Sequence, residues 1–321
     1  MKFSIITPVY NSFYLMEQYF HSLENQTLKY FEIILIDDCS TDDSYQSIKG
    51  FAENSNLDIK ILQTPENMGP GYARNLGLAK ASGDWVTFVD NDDWVELNWL
   101  EKVNEIISNN GFDCVIHDYY LKGDRERQPM QTMIRGDEGI ISKSEGITFI
   151  SNHTWGKFYS LSKLKEKNVH FPNTRRCEDV AFTCLALDAC DSIYYLKHNL
   201  YYYFQRKNSL SNNRNMDEKD MVHSFSILRK NLEKKYTKEI NEKSVRDLLY
   251  GGLLMMCKAR KSNKDIMTYI NEYGNKNPEW FRSSSISFLA TPKRVFLVCA
   301  KYKFISGLRF LSWVHTKLVG M

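Results

Sequence analysis

Three carboxylates within four consecutive residues, Asp90 to Asp93 (Asp-Asn-Asp-Asp), form the stretch of this sequence best suited to chemistry. They follow Trp85 to Val89, a run of β-branched and aromatic residues that is typical of a buried strand. Mg²⁺ and Mn²⁺ favour oxygen ligands, are often held by one or two protein carboxylates, and complete their shell with water and phosphate oxygens. The stretch therefore predicts a Mg²⁺ or Mn²⁺ site that binds together with a phosphorylated ligand.

Two other interpretations of these acids compete with a metal site. A short Asp-x-Asp is common by chance and is often only a solvated loop. An EF-hand calcium loop would use Asp90, Asp92 and Glu101, but Val95 stands where that loop needs a turn glycine. The pattern excludes the EF-hand, and the position directly after a strand favours the metal site over the solvated loop.

The elements that position these acids follow from the first 120 residues, which alternate between strand and helix patterns. Strands are predicted at residues 3–7, 32–37, 59–63, 85–89 and 114–120, and helices at 14–24, 72–80 and 97–108. Residues 40–44 offer several N-cap candidates for a further helix that runs to about residue 54. This alternation predicts an α/β fold with a mainly parallel sheet covered on both faces. Ligands of such sheets bind at the carboxyl ends of the strands.

Three of these strand ends carry chemically active residues. They are Thr7 to Asn11, Asp37 to Ser40 and Asp90 to Asp93. Acids and aromatic residues gathered on one edge of a sheet favour a site for a nucleotide and a metal. No G-x-G-x-x-G follows the first strand, and the later Gly69 to Gly71 lacks both that spacing and the Lys-Ser/Thr of a P-loop, which disfavours a dehydrogenase or an NTPase.

The rest of the chain divides near residue 212. Residues 121–145 are polar and rich in Gly and Pro, which predicts a long loop or flap. Further elements are predicted as strands at 155–159 and 192–204, a short helix at 162–167, and helices at 217–236, 238–261 and 264–273. Glu178 and Asp179 open another apolar helix, where the helix dipole favours acids on structural grounds alone. We expect a first domain of residues 1–212 and a helical domain of residues 213–321.

Composition is that of a globular protein, with 43% hydrophobic, 25% charged and 13% aromatic residues. Seven cysteines without a C-x-x-C pair indicate neither a zinc knuckle nor a disulfide framework. The chain enters a strand-like run at once, without the pattern of a secretory signal, so we expect a reducing, cytosolic setting. The net charge of +3 hides an asymmetry, because no acid follows Glu279 although seven Lys or Arg residues do.

The basic tail, residues 292–321, also carries many aromatic and aliphatic side chains. Lys301, Lys303 and Arg309 interrupt any apolar run long enough to cross a bilayer. A basic, aromatic segment without acids is typical of an interfacial helix on an anionic membrane surface. The alternative is a helical cap that packs on the first domain.

Five motifs together resemble the family 2 inverting glycosyltransferases of the GT-A fold, of the kind that builds bacterial cell-surface polysaccharides. In order, they are Thr-Pro-Val-Tyr-Asn at residues 7–11, Ile-Asp-Asp-Cys-Ser-Thr-Asp-Asp-Ser at 36–44, Asn-Met-Gly-Pro-Gly-Tyr-Ala-Arg-Asn at 67–75, Ala-Ser-Gly-Asp-Trp-Val-Thr-Phe-Val-Asp-Asn-Asp-Asp at 81–93, and Glu-Asp at 178–179. The resemblance covers roughly the first 210 residues. It implies a GT-A nucleotide-sugar-binding domain with a mainly parallel mixed sheet, followed here by an α-helical region.

The resemblance also implies a role for each matching residue. For the nucleotide-sugar these are Pro8, Val9 and Tyr10 around the base, Asp38 at the uracil ring nitrogen, Asn67 and Arg74 near the base, and Asp90 and Asn91 near the ribose. Asp92, with Asp90, matches the metal ligands, whereas Asp93 matches a less defined position. Asp179 matches the general base, and Trp155, Lys157 and Glu178 lie on the acceptor side, although a core position for Trp155 is an equal alternative. Arg206, in a loop after a strand, is expected to close over the diphosphate.

The chemistry implied is the metal-dependent, inverting transfer of a hexosyl or N-acetylhexosaminyl group from a UDP-sugar to a hydroxyl group. A carboxylate takes the proton of the acceptor hydroxyl, and a divalent cation neutralises the charge on the departing diphosphate. The expected acceptor is a lipid-linked or growing surface saccharide at the inner face of the cell membrane, and no nucleic-acid partner is expected. One alternative is a non-catalytic subunit that binds a nucleotide-sugar, and another is a nucleotidyltransferase, which would need the Gly-rich basic loop that Thr7 to Ser12 lacks.

Overall fold

The computed structural model describes residues 1–123, 127–133, 136–174, 176–205 and 218–319. These residues form two compact units, the first within residues 1–146 and 150–205, and the second made of residues 147–149 and 218–319. The predicted domain boundary near residue 212 lies outside the described residues and stays a prediction.

A single mixed sheet forms the centre of the first unit. In the described part of the chain its strands are β1 Phe3–Val9, β2 Phe31–Asp37, β3 Asp58–Gln63, β4 Trp85–Phe88, β5 Trp94–Val95, β6 Cys114–Lys122, β7 Arg127–Met130, β8 Gly139–Ile141, β9 Lys157–Ser160 and β10 Ile193–Phe204. The strand order is β3-β2-β1-β4-β9-β6-β10-β5, with β7 paired to β6 and β8 to β10. The first four strands of this order are parallel, and β9 runs antiparallel to both of its neighbours.

Helices lie between these strands, as the alternating pattern predicts. They are α1 Glu17–Glu24, α2 Ser44–Asn54, α3 Pro70–Lys80, α4 Trp99–Asn110, α5 Lys143–Phe149, α6 Leu161–Glu166 and α7 Glu178–Ala189. Every residue of β2 is buried, and every residue of β1 except Pro8, which explains their nearly continuous apolar sequences. The predicted α/β fold with a mainly parallel mixed sheet and a helical C-terminal region is confirmed.

Helix α3 packs directly on the sheet at Gly77. A Cβ atom at this position would lie 2.6 Å from Ile6 Cγ2 and 3.0 Å from Ile36 Cδ1, so only glycine allows this approach. The close packing brings the preceding turn of α3, which carries Arg74, against the carboxyl end of β4.

The prediction of a long loop at residues 121–145 is wrong. Strand β6 continues to Lys122, β7 pairs back onto it, β8 adds to β10, and α5 begins at Lys143 behind a Ser142–Glu145 capping box. All four residues of β7 are exposed, so this strand has no apolar alternation from which the sequence could reveal it.

The second unit is helical. Its helices are α8 Glu218–Ser244, a π-helical segment Val245–Gly251, α9 Gly252–Lys258, α10 Asn263–Lys276, α11 Thr291–Lys301 and α12 Ile305–Val319. The break predicted between residues 236 and 238 corresponds to non-helical dihedrals at Tyr236 inside α8. Phe296, Leu297 and Leu308 of the last two helices are buried in the apolar cluster of this unit.

Candidate active site

One guanidinium group connects the end of β4 to the start of α7. Arg74 is 6% exposed and donates through Nη1 to Glu178 Oε1 and through Nη2 to Asp90 Oδ1, both at 2.8 Å. Burial lowers the pKa of Arg74, but the attraction of Asp90 and Glu178 outweighs it and the net direction is upward. Arg74 is therefore charged and holds together the two acidic parts of the site.

Glycine at position 71 permits this connection. A Cβ atom on Gly71 would lie 3.0 Å from Glu178 Cγ and 3.2 Å from Glu178 Cβ, so the first turn of α3 lies directly against the first residue of α7. Asn75 adds a second link, because its side-chain amide donates to Phe171 O at 2.9 Å and accepts from Phe171 N at 2.8 Å. The segment that leads into α7 is thus fixed to α3 at several points.

Asp179, the predicted general base, lies half-buried in the first turn of α7. Burial raises the pKa of this carboxyl to about 7, and the neighbouring charge of Glu178 adds to the increase while Arg74 opposes it. A carboxyl group that titrates near neutral pH can accept a proton far better than an ordinary aspartate. Glu178 is buried and forms an ion pair with Arg74, so this carboxylate is engaged within the protein and has a structural role.

The loop after β4 presents Asp90, Asn91 and Asp92, all half-buried. Asn91 donates from Nδ2 to Pro8 O at 2.9 Å, which ties the loop to the end of β1. The backbone N–H of Asp93 donates to Asp90 O at 3.1 Å and closes a tight turn. The structure thus brings the predicted residues of the first and fourth strand ends together.

Asp93 differs from the other acids of the loop because it is 0% exposed. Its Oδ2 accepts from the hydroxyl of Tyr201 at 2.6 Å, and its Oδ1 accepts from the backbone N–H of Phe204 at 2.8 Å. Burial raises the pKa of this carboxyl well above its ordinary value, and the charges of Asp92 and Asp90 add to the increase. Asp93 is directed into the protein and binds the end of β10.

The donor set fits a Mg²⁺ or Mn²⁺ ion that is shared with a diphosphate. Among the described residues, no group of three or more His, Cys, Asp or Glu side chains is arranged to hold a metal ion on its own. Asp90 and Asp92, which are half-buried, would supply the one or two carboxylates that such ions use when phosphate oxygens complete the shell. Both oxygens of Asp93 are already engaged, which leaves it outside that set.

Asp38, predicted at the base, organises the neighbouring loop. It is 3% exposed, and its carboxylate accepts from Thr64 Oγ1 at 2.8 Å, Met68 N at 2.9 Å and Gly69 N at 2.8 Å. A carboxylate offers roughly four lone-pair sites, so these bonds leave capacity for one further donor. The predicted contact with a uracil ring nitrogen stays a prediction.

The other residues predicted at the base differ in how far their side chains are exposed to solvent. Tyr10 is 43% exposed and Asn67 is exposed, whereas Pro8 is half-buried. Val9 is 0% exposed and belongs to the apolar core, so only its backbone, which accepts from Asp38 N at 2.8 Å, faces the strand end. The predicted place of this segment at the base stays a prediction, in which Val9 would take part through its backbone.

Trp155 and Lys157 lie in the core and not on a surface open to an acceptor. The ring of Trp155 is 4% exposed and is stacked between His153, with centroids 3.5 Å apart, and Tyr201, with centroids 4.4 Å apart. Lys157 is 0% exposed, and its Nζ donates to His153 O at 2.5 Å and Trp155 O at 3.3 Å. For Trp155 this position is the core alternative. The predicted role of the two residues in shaping the acceptor side stays a prediction.

Two further residues, Arg206 and Tyr201, belong to the site by prediction and by structure, respectively. Arg206, predicted at the diphosphate, lies outside the described residues. Tyr201 was not predicted, although its hydroxyl contacts both Asp93 and the backbone of Asp90. It stands in the run Tyr201 to Phe204, in which no feature of the sequence distinguishes one aromatic residue from the next.

Comparison with known proteins gives matches along most of the chain. The family profile described as "Glycosyl transferase family 2" matches residues 4–165. The poly(ribitol-phosphate) beta-N-acetylglucosaminyltransferase TarS of Staphylococcus aureus is 32% identical over 212 residues, which are 64% of this chain and 36% of TarS. The chain therefore spans about a third of the length of the curated relatives that it matches first.

Solved structures agree with the fold. The crystal structure of TarS residues 1–349 in complex with UDP-GlcNAc gives a TM-score of 0.73 at 23% identity, over 99% of this chain and 92% of that chain. The mannosyltransferase PcManGT of Pyrobaculum calidifontis, in complex with GDP-Man and Mn²⁺, gives a TM-score of 0.59 at 15% identity, over 97% and 86% of the two chains. These similarities confirm the predicted GT-A fold.

Proposed function

Because the chain belongs to glycosyl transferase family 2, we propose that it transfers a sugar, with inversion and with the aid of a divalent metal, from a UDP-sugar to a hydroxyl group of a saccharide acceptor. The observation that carries the proposal is the bridge from Asp90 through Arg74 to Glu178. This bridge holds the acids suited to a metal diphosphate beside the helix end that bears Asp179, and the reaction needs both parts.

Asp179 takes the proton of the attacking hydroxyl group. Burial, reinforced by the charge of Glu178, raises its pKa to about 7, so near neutral pH it is ionised in a large fraction of molecules and is still basic enough to accept a proton. Glu178 does not compete for this role, since its Oε1 accepts from Arg74 at 2.8 Å. A single base and no covalent nucleophile correspond to one displacement with inversion at the anomeric carbon.

Asp92 and Asp90 would hold Mn²⁺ or Mg²⁺ together with the donor diphosphate. When bound, the ion neutralises charge on the departing nucleoside diphosphate. Arg74 limits the movement of Asp90, because its Nη2 holds one carboxylate oxygen of that residue at 2.8 Å. The Mn²⁺ in the complex of the structurally similar mannosyltransferase supports a metal of this kind here.

UDP-GlcNAc is the first donor to test, because the structurally similar TarS fragment was solved in complex with it. We propose a hexosyl or N-acetylhexosaminyl group as the sugar and a growing, lipid-linked cell-surface polymer as the acceptor. The similarity to TarS, a poly(ribitol-phosphate) beta-N-acetylglucosaminyltransferase, supports a polymer of this kind. Asp38 and the exposed ring of Tyr10 would receive the base.

A donor panel tests this proposal. Purified protein is incubated with UDP-GlcNAc, UDP-glucose, UDP-galactose and GDP-mannose, with Mn²⁺, with Mg²⁺ or with EDTA, and release of the nucleoside diphosphate is measured. We expect metal-dependent release from one or more UDP-sugars and little from GDP-mannose. Tight UDP binding without release from any donor or transfer to any acceptor would favour the non-catalytic binding subunit instead.

We further propose that helices α11 and α12 place the enzyme on an anionic membrane surface, which would be the inner face of the cell membrane. Within the described residues, no helix combines the length and apolarity needed to span a bilayer. The two helices and the link between them nevertheless expose apolar side chains, namely Val295 at 44%, Val298 at 39%, Tyr302 at 72%, Phe304 at 58%, Phe310 at 61% and Trp313 at 58%. Lys301, Lys303 and Lys317 are exposed among them, as interfacial binding requires.

Point variants test this surface better than removal of the tail. Deletion of residues 292–321 would also remove Phe296 and Leu297, which are buried in the core of the second unit. We expect Phe310→Ser/Trp313→Ser to reduce sedimentation with phosphatidylglycerol vesicles, whereas Tyr30→Ser, which changes an equally exposed aromatic residue of the first unit, has no effect. Equal sedimentation of the double variant and the unmodified protein would contradict membrane binding and favour the alternative, in which the tail is a helical cap that only packs against the protein.

A further inference from the structure

The hydroxyl group of Tyr201 forms hydrogen bonds with both ends of the acidic loop, residues 90–93. It donates to Asp93 Oδ2 at 2.6 Å and accepts from the backbone N–H of Asp90 at 3.1 Å. Asp93 in turn accepts from the backbone N–H of Phe204 at 2.8 Å, where β10 ends. Two side chains thereby attach residues 90–93 to β10: that of Tyr201, which belongs to the strand, and that of Asp93, which belongs to the loop.

Aromatic stacking fixes the position of this hydroxyl. The ring of Tyr201 is 0% exposed and lies on the ring of Trp155, with centroids 4.4 Å apart and planes 4° apart. Trp155 stacks in the same way on His153, with centroids 3.5 Å apart. Lys157 Nζ donates to the carbonyl oxygens of His153 and Trp155 and so secures the far end of the stack.

The loop secured in this way carries Asp90 and Asp92, the two proposed metal ligands. The side chain of Asp90 is held by Arg74, and its backbone is held by Tyr201. Asp92 lies between Asp90 and the buried Asp93, so its backbone is restrained on both sides. A cation with near-octahedral demands binds well only where the carboxylates that meet it keep a fixed separation.

We infer that Tyr201 and Asp93 are a positioning pair, which sets the backbone of the Asp90–Asp93 loop so that Asp90 and Asp92 meet the metal diphosphate with a defined separation. Neither residue touches the substrate. The catalytic consequence rests on the proposed function, whereas the structural part concerns only this chain. Trp155 supports this pair because its buried ring stacks on the ring of Tyr201 and fixes the position of the hydroxyl group.

The test compares Tyr201→Phe with Tyr202→Phe. Both variants keep an aromatic ring on β10 and lose one hydroxyl with two partners, which for Tyr202 are Glu96 Oε1 at 2.5 Å and Arg127 Nη1 at 2.7 Å. The Tyr201 hydroxyl bonds to Asp90 and Asp93 of the acidic loop, whereas the partners of the Tyr202 hydroxyl lie outside that loop. Tyr202→Phe is therefore the matched control, because it removes a hydrogen-bonded hydroxyl group from the neighbouring, half-buried tyrosine of the same strand.

Hydrogen–deuterium exchange in the metal-free protein supplies the first measurement. We expect the peptide that contains the Asp90 amide to exchange about tenfold faster in Tyr201→Phe, because its N–H loses its acceptor, and at an unchanged rate in Tyr202→Phe. The second measurement is the Mn²⁺ concentration that gives half-maximal UDP binding. It should rise about fivefold or more in Tyr201→Phe and stay unchanged in the control.

Asp93 supplies an independent variant. Asn at this position keeps an oxygen for the Phe204 N–H, and its N–H₂ group can donate to the Tyr201 oxygen, although the Tyr201 hydroxyl then loses its acceptor. Asp93→Asn should therefore retain more of the Mn²⁺ response than Asp93→Ala, which keeps neither contact. Equal exchange rates in Tyr201→Phe and Tyr202→Phe, or equal losses in the two Asp93 variants, would overturn the positioning pair. Absence of both UDP binding and turnover in the unmodified protein would count against the proposed function, and the exchange rates would still decide the inference.

Discussion

Replacing Arg74 by Met removes the charge between Asp90 and Glu178 while keeping an unbranched side chain. The Arg74 and Glu178 side chains are 7% and 9% exposed, so the variant leaves a buried carboxylate without its cation. Removing one partner of a buried ion pair typically costs about 3–5 kcal/mol. The Asp90 side chain is 32% exposed, and solvent screens its share of the loss. We therefore expect the free energy of unfolding to fall by about 3–5 kcal/mol and not by twice that amount.

The loss should depend on pH in a defined direction. Burial already raises the pKa of Glu178, and Arg74 opposes that increase, so removing Arg74 raises the folded-state pKa further above the unfolded value. The folded variant then binds more protons than the unfolded chain in the window between these two values, and its stability rises as the pH falls through that window. The destabilisation measured at pH 8 should accordingly shrink at pH 5.

Urea denaturation followed by circular dichroism at these two pH values provides the measurement. Arg127→Met, which changes an exposed arginine of β7, is the control and should leave the unfolding curve unchanged. Adding Glu178→Gln to Arg74→Met should restore about 1–3 kcal/mol, because the buried charge is no longer present. A loss of equal size at both pH values, or no recovery in the double variant, would refute the reasoning about the bridge.

Three other predictions follow from the site. The logarithm of kcat/KM should fall as the pH is lowered below about 7, because Asp179 must be ionised to accept a proton and burial together with Glu178 raises its pKa to about 7; a pH-rate profile that is flat from pH 8 to pH 5 would contradict this. Gly71→Ala should cost about 1–3 kcal/mol of stability and reduce kcat, since its Cβ would lie 3.0 Å from Glu178 Cγ; Gly50→Ala, which meets no atom within 4 Å, is the control in both assays. Asp92→Ala should remove the Mn²⁺ dependence of UDP binding in calorimetric titrations, and a variant that binds UDP with an unchanged metal response would exclude Asp92 as a ligand.

The sheet and the part of the site at the strand ends could be predicted from the sequence, because both depend on local patterns. Strand ends such as Thr7 to Asn11 and Asp90 to Asp93 are recognisable from apolar runs that stop at polar residues. Their meeting at one edge follows from parallel pairing of β1 with β2 and β4. These inferences need no knowledge of side-chain packing.

The remaining features depend on contacts between distant residues. The bond from Arg74 to Glu178 joins residues 104 positions apart and requires the close approach of α3 to α7 at Gly71. The burial of Lys157 could not be predicted either, because a lysine in a short strand is usually exposed. Its Nζ group donates to the carbonyl oxygens of His153 and Trp155, which stabilise it in the interior. The resemblance distinguished Asp92 from Asp93, but the full burial of Asp93 depends on its bonds to Tyr201 and Phe204, more than 100 positions later in the chain.

The most direct test of the central claim is sugar transfer by Asp179→Asn, measured beside the affinity of the same variant for UDP in the presence of Mn²⁺. Asp191→Asn, beyond the other end of α7 and 69% exposed, is the matched control. We expect kcat for Asp179→Asn to fall about 100-fold or more, with the Kd for UDP within about twofold of that of the unmodified protein. Full transfer by Asp179→Asn would contradict the assignment of the base and, with it, the account of the reaction between Asp90 and Asp179.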